Sequence, residues 1–351
     1  VIPFLFFGNV PVNAVAPVVS GVAYVGNTLT TTNGTWTDAA SFTYQWQRNS
    51  IDIGGATAST YVVTLADEGE QLRCVVTATG PGGMASANSN VLELWVPTDL
   101  GLALAGWYDA EDAATITLGV GVSQWADRSG RGNDVVQAVG ANQPTYSATG
   151  WETVRPGVTF NGVTHRMAKA VPAIGVSVAA IGIAMAIRVN ALPAASTPAV
   201  VIGSGAGTAA RYTLRYSAIG RSSSIRRLDV DASAADLYSA PLVAGVAEVA
   251  NVQQHYATQT EAARINGVEE VFTPIGTLGV TDVTTPAALR IMTNILETVF
   301  VSGVMHEIVL FDGSDQTLLV REKIDGYLAW RAGITSVLPA LNPYKNTPPP
   351  P

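Results

Sequence analysis

The feature that most constrains this chain is a rhythm of short alternating runs cut by turn residues. Residues 42–48, Phe-Thr-Tyr-Gln-Trp-Gln-Arg, alternate aromatic and polar side chains, which puts Phe42, Tyr44 and Trp46 on one face of an extended strand. Residues 22–25 and 28–32 flank Gly26-Asn27, and further runs cover 60–63, 71–78 and 91–96. About seven short strands at this pace between Ala16 and Val96 is the pattern of a β-sandwich. Pro97-Thr-Asp99 reads as a joint. Beyond it the composition stays strand-like to Leu310, with runs at 200–202, 211–216, 225–230 and 299–301. Asn266-Gly267 lies between 262–265 and 268–272. It is a hairpin signal, because both residues accept the positive φ that matches strand twist. The run 176–189 is apolar throughout, which suits a strand buried on both faces.

The chain is therefore expected to be all-β, as two sandwiches with one C-terminal helix. Val320, Ile324, Tyr327 and Leu328 fall on one helical face. Ser314 or Asp315 is the expected N-cap and Gly333 the expected stop. Gly326, costly inside a helix, is expected to permit close approach to the sheet. The expected divisions are 1–15 as an apolar N-terminal anchor, 16–96 and 99–335 as domains, and 336–351 as an extended proline-rich tail.

Composition narrows the function. The formal net charge is -8, with 19 Lys and Arg against 27 Asp and Glu, which excludes a nucleic-acid binder needing a basic stripe. Charged residues are only 13% of the chain. Cys74 is the only cysteine, so neither an intrachain disulfide nor a cysteine-based zinc site can form. No apolar run is long enough for a membrane-spanning helix, and the short apolar start lacks the basic flank of a signal peptide.

Gly34-Thr-Trp36, Tyr44-Gln-Trp46 and the run from Asp67-Glu-Gly69 to Cys74 resemble the bacterial and phage Ig-like domain. The resemblance implies that Trp46 packs on Cys74, and that Asp67 and Gly69 shape the turn into the sixth strand. The second-strand cysteine of antibody domains is missing, with Leu29 nearby, and Leu72 stands where those domains have their corner tyrosine. Cys74 is then a small buried hydrophobe. Trp107-Tyr-Asp-Ala110, residues 122–133 and 156–162 resemble the opening of a laminin-G-like, concanavalin-A-like jelly roll. Residues 305–312 and 322–330 resemble its last core strand and terminal helix.

Ig-like domains joined to laminin-G-like ones resemble accessory proteins of phage virions. The resemblance implies a non-enzymatic structural protein of the virion surface, as capsid decoration, head fibre or tail-associated part. Its partners would be capsid or tail proteins and further copies of itself, with a cell-surface glycan as outward ligand. The alternative is a bacterial secreted or surface carbohydrate-binding adhesin. The segment containing Ile2, Phe4, Leu5, Phe6 and Phe7 is too apolar to leave in water, and is the expected assembly anchor.

Few residues suggest chemistry. Asp127, Asn133 and Asp134, with two glycines between them, could hold calcium; alternatively they shape a turn through local backbone N–H groups. No other cofactor is indicated. Tyr146 and Trp151 are placed in a loop, either to stack on a sugar or to plug the end of the sandwich. His306 and Glu307 are neighbours on a strand, so they should point to opposite faces and not act together. No carboxylates alternate along one strand as a jelly-roll glycosidase would require, and no nucleophile-elbow, phosphate-loop or metalloprotease motif is present. Arg226-Arg227 reads as a solvated face or an interface.

Overall fold

The computed structural model describes residues 8–100, 103–174, 178–203, 210–218, 220–225, 234–237, 242–255, 260–270, 288–294, 296–313 and 316–349. It is all-β with a single α-helix among the described residues. The chain divides into two compact units, one comprising the chain up to Asp99 together with its end from Thr347, and one from Leu100 to Asn346.

In the first unit Ser41–Arg48 lies between Gln71–Gly80 and Ile51–Asp52 in one sheet, and Gln71–Gly80 also pairs with Gly83–Asn88 and Leu92–Glu93. A second sheet orders Val19–Ser20, Thr28–Thr31 and Thr60–Val62. The core holds Val19, Leu29, Trp46, Val63, Leu72, Cys74, Val76 and Leu94. Trp46 stands directly opposite Cys74 in the register. Its indole donates to Ala58 O (2.9 Å) and its ring stacks on Tyr61 at 5.4 Å. Cys74 is a free, buried thiol whose pKa burial pushes up. Leu29 and Leu72 fill the places of the absent cysteine and tyrosine at 0% exposure. Asp67 ties the turn together. It accepts from Thr64 N (2.7 Å), Tyr61 OH (2.9 Å) and Arg48 Nε (2.7 Å) while fully buried.

Two expectations are corrected in this unit, and one strand is added. Residues 22–25 form no strand; Gly21 and Gly26, both at positive φ, bend the chain there, and the strand is Val19–Ser20. Gly83–Asn88 is a strand that its small residues Ala85, Ser86 and Ala87 did not announce. The N-terminal boundary moves: Val12–Val15 pairs with Thr35–Thr37 and Gly82 N donates to Asn9 O (3.1 Å), so the chain from Gly8 is built into this unit. The anchor residues Ile2, Phe4, Leu5, Phe6 and Phe7 lie outside the described residues.

The second unit is a sandwich of two large sheets. The eight-stranded sheet orders Thr145–Trp151, Arg155–Asn161, Ser302–Gly313, Ala180–Ala191, Ala247–His255, Thr260–Ile265 and Val268–Glu269. Ala103–Asp109 also pairs with Ser302–Gly313, on its second half. The nine-stranded sheet orders Ile116–Leu118, Val122–Trp125, Val135–Val136, Met167–Ala170, Ala288–Ile291, Thr197–Gly203, Ala210–Ser217, Gly220–Ile225 and Ala234–Leu237. Both sheets feed one hydrophobic cluster, which includes Tyr108, Trp125, Phe160, Ile183, Met185 and Ile308. The Asn266-Gly267 hairpin forms as the sequence indicates, with φ of 53° and 76°. Residues 299–301 supply only a bridge between Phe300 and Thr293. Of the run 225–230 only Ile225 is described, so Arg226 and Arg227 lie outside the described residues.

The helix Leu318–Arg331 packs on Ala247–His255 and Ala180–Ala191, which explains why Ala180–Ala191 is apolar on both faces. Its N-cap is Thr317, whose Oγ1 accepts from Val320 N (3.4 Å); Ser314 and Asp315 lie outside the described residues. Gly333 at φ 67° ends it, and Ile334 N returns to Ala329 O (2.9 Å). Gly326 faces the chain end instead of the sheet: a Cβ there would stand 2.4 Å from Tyr344 Cβ. The expected extended tail is likewise corrected. Thr335–Val337 is a 3-10 turn, and Leu338, Asn342 and Tyr344 are buried in this unit. The Trp330 indole donates to Tyr344 O (2.8 Å).

Candidate functional site

The densest set of titratable groups lies on the helix-facing side of the eight-stranded sheet. Ala103–Asp109 sends Tyr108 into the core, so alternation turns Trp107 and Asp109 toward the helix. Ser302–Gly313 would place His306 and Glu307 on opposite faces if it were regular. It is not regular: Ala186 pairs with Glu307 and Ile187 with Met305, leaving His306 as the extra residue of a β-bulge. Both side chains therefore reach the helix side, which corrects the expectation that they point to opposite faces. Their common partner is Arg331, in the last turn of the helix.

Arg331 is 1% exposed and gathers three carboxylates. It pairs with Asp109, lies 2.9 Å from Glu111 Oε2 through Nη1, and 3.6 Å from Glu307 Oε2 through Nε. Arg128 donates to Asp109 (2.6 Å), stands 3.4 Å from Asp112, and stacks 4.0 Å above the Trp107 ring. Arg155 donates to Glu111 (2.5 Å). Glu307 Oε1 accepts from the Trp107 indole (2.6 Å) and from Tyr327 OH (2.7 Å). His306 donates through Nδ1 to Pro156 O (2.8 Å), its Nε2 lies 3.1 Å from Arg331 O, and Trp151 stacks on it at 5.5 Å.

The charges decide the protonation. Four carboxylates (Asp109, Glu111, Asp112 and Glu307) meet three guanidinium groups (Arg128, Arg155 and Arg331). Glu307 carries the surplus. Burial, then the charge of Asp109, pushes its pKa up to about 8, against the pull of Arg331, so it is protonated at neutral pH. Burial acts on Asp109 in the same upward sense, but Arg331 and Arg128 outweigh it and hold Asp109 below its ordinary value. Burial also lowers His306. A second buried network fixes the middle of the helix: Asp325 accepts from Arg264 (2.6 Å) and Asn251 (3.0 Å), and burial raises its pKa to about 6. Asp109, His306, Glu307 and Asp325 are all 0% exposed. Chemically, this cluster locks the helix to the sheet.

The residues singled out from the sequence take structural places. Both oxygens of Asp127 are engaged by local donors: Trp107 N (2.9 Å) and Ser129 N (2.8 Å) on one, Ser129 Oγ (2.8 Å) and Asn133 N (3.0 Å) on the other. Asp134 accepts from Asp127 N (2.9 Å) and Gln124 (2.8 Å), and Asn133 exchanges bonds with Ala105 O and Ala173 N. Among the described residues no three His, Cys, Asp or Glu side chains are grouped as a metal would require. The stacking role for Trp151 is corrected: it ends the strand Thr145–Trp151, is 0% exposed, and donates to Ala332 O (2.8 Å) beneath the helix end. Tyr146 is half-buried against the main core with its hydroxyl on Ala110 O (3.3 Å), so it too plugs the sandwich.

What the sequence reading missed lies on the other sheet. The outer face of the nine-stranded sheet carries one continuous register row, Thr117, Gln124, Val136, Ala168 and Arg290, across five neighbouring strands. Thr117 and Val136 are exposed and the other three half-buried. The alternation of Arg290 between Leu289 and Ile291 was the available signal.

No protein-family model matches the chain, and no curated protein resembles it in sequence. Solved structures similar in fold include the sialidase of Trypanosoma rangeli, at 12% identity and a TM-score of 0.46, covering 74% of this chain and 43% of that one. They also include domain 4 of AbnA, an extracellular arabinanase of Geobacillus stearothermophilus, in complex with arabinotriose (11% identity, TM-score 0.40, 64% of this chain and 98% of that one). A third is the ligand binding domain of botulinum neurotoxin serotype D in complex with N-acetylneuraminic acid (9%, 0.46, 67% and 52%). The chain spans less than half the length of the sialidases it resembles. The expectation of a protein without catalytic activity is withdrawn, because solved sialidases are among the structures that the chain matches. Likenesses of this size transfer no residue roles.

Proposed function

We propose that the protein is a glycan-recognising surface protein of a phage virion, with the outer face of the five strands from Ile116–Leu118 to Ala288–Ile291 as its ligand face. The observation that carries the reading is the accessible register row from Thr117 to Arg290. The eight-stranded sheet commits its outer face to the helix and a sealed ionic network, whereas this row presents Thr117, Gln124, Val136, Ala168 and Arg290 across five neighbouring strands. Hydroxyl, amide and guanidinium groups on such a surface suit the hydroxyl-rich face of a saccharide. The virion setting is supported by the sequence resemblance of an Ig-like domain followed by a jelly roll. It would bring capsid or tail proteins and further copies of the chain as partners.

Two arms test the reading. The full chain is titrated against a panel of acidic and neutral oligosaccharides, and binding to at least one is expected; silence across the panel overturns glycan recognition. The chain is also tracked through particle purification, where a fixed copy ratio is expected. Its absence from washed particles overturns the virion setting while leaving the glycan reading to the first arm.

A further inference from the structure

At one end of the register row two arginines converge on a single carboxylate. Arg290 faces outward from Ala288–Ile291, and Arg166 precedes Met167–Ala170, the neighbouring strand. Ala168 is the register partner of Arg290, so Arg166, two residues earlier, is its diagonal neighbour on the same outer face. Glu297 lies between them: one carboxylate oxygen pairs with Arg166 Nε and the other stands 3.0 Å from Arg290 Nε. Arg166 is pre-oriented by a bond from Nη1 to Thr164 O (3.0 Å) and by its place 6.0 Å above the Phe300 ring. Among the described residues Arg290 Nη1 reaches only Leu289 O, at 3.3 Å. The side chains are 18%, 19% and 27% exposed for Arg166, Arg290 and Glu297. Arg166, Arg290 and Glu297 together carry one positive charge, on a chain whose net charge is -8.

The carboxylate that fills this pair sits on an unusual support. Glu297 has φ 55° and Met292, at the base of the same loop, φ 62°, both left-handed values that non-glycine residues rarely adopt. The loop is held by Asn294, whose Oδ1 accepts from Thr298 N (2.8 Å) and whose Nδ2 donates to Thr298 Oγ1 (2.9 Å). Leu296 and Thr298, on either side of Glu297, are exposed.

We infer that Arg166 and Arg290 form a subsite for a carboxylate-bearing sugar, a sialic or uronic acid, in which Glu297 occupies the place of the ligand carboxylate. The inference rests on the glycan-binding reading above and names its ligand class. Two guanidinium groups that each set an Nε against one oxygen of the same carboxylate match the two oxygens of a ligand carboxylate. The Glu297 side chain competes for that point from its own loop, so ligand must displace it. This gives substitutions of opposite sign. Arg166→Gln and Arg290→Gln remove attraction, whereas Glu297→Gln removes the competitor.

The full chain is titrated with 3′-sialyllactose, tri-galacturonate and the neutral probes lactose and maltotriose, at low and at high salt. An acidic probe is expected to bind at least about tenfold more tightly than its neutral counterpart, and the preference to shrink with salt. The two acidic probes separate the sialic from the uronic source. Each arginine variant should weaken acidic binding about tenfold, and Glu297→Gln should strengthen it, at unchanged melting temperature. Arg166→Lys, which keeps the charge and loses the guanidinium donors at Nε and Nη1, should recover only part of the affinity. Equal binding of acidic and neutral probes overturns the inference and leaves glycan recognition standing, as does binding that the arginine substitutions leave unchanged in the folded variants. Binding to none of the four probes overturns the inference, and the wider panel then decides the glycan reading separately.

Discussion

Glu307 shows how far a single residue's surroundings set its chemistry. Its carboxyl is fully buried beside Asp109 and Arg331 and has a pKa of about 8 against an ordinary 4.5. The folded protein therefore keeps a proton that the unfolded chain releases on passing pH 4.5. The stability tied to this group is fully present below about pH 4.5 and is lost as pH rises to about 8. Asp109 works in the opposite sense: its pKa is lowered in the folded state, so its contribution is lost as acid protonates it. The wild-type melting temperature should fall between pH 5 and pH 8 more than that of Glu307→Gln, whose neutral amide can still accept from Trp107 and Tyr327. Parallel curves for the two proteins would mean that Glu307 is ionised throughout. His306 carries the lesson about reading residues one at a time. The dipeptide His306-Glu307 looked divided between two faces because a regular strand alternates. The bulge that reunites them depends on pairing with Ala180–Ala191, more than a hundred residues earlier, and no local pattern encodes it.

At the scale of elements, much was legible. The alternation of Phe42, Tyr44 and Trp46, the Asn266-Gly267 turn, the doubly buried strand Ala180–Ala191 and the helix ending at Gly333 all stand where local pattern put them. Each is fixed by sequence-near physics: side-chain period, turn φ or helix capping. Elements of small residues, such as Gly83–Asn88, were not legible, because their strand character comes from the partner they pair with. The same limit hid the site. Arg166 and Arg290 are brought side by side only by strand pairing across the sheet, and Trp151 looked like a loop residue because nothing local reveals the helix above it. Gly326 supplies a test at this scale. Helix propensity alone favours Gly326→Ala by about 1 kcal/mol, but the new Cβ would stand 2.4 Å from Tyr344 Cβ. The substitution should lower the melting temperature in the wild-type background and raise it in a Tyr344→Gly background. A gain in both backgrounds would show that the chain end is not packed on the helix.

At the scale of the whole molecule, the first unit rests on one packed core around Trp46 and Cys74, and the second divides its two outer faces between different tasks. One face of the sandwich is spent on the helix, with Asp109, Glu307 and Asp325 sealed beneath it. The other leaves Thr117 and Val136 exposed and Gln124, Ala168 and Arg290 half-buried along one row. That division is the central claim, and amide hydrogen exchange of the full chain with and without a glycan that it binds tests it most directly. The account predicts added protection in 116–125, 135–136, 166–170 and 288–298, with the strands beneath the helix unchanged. Protection confined to the helix side, or to the first unit, would contradict it.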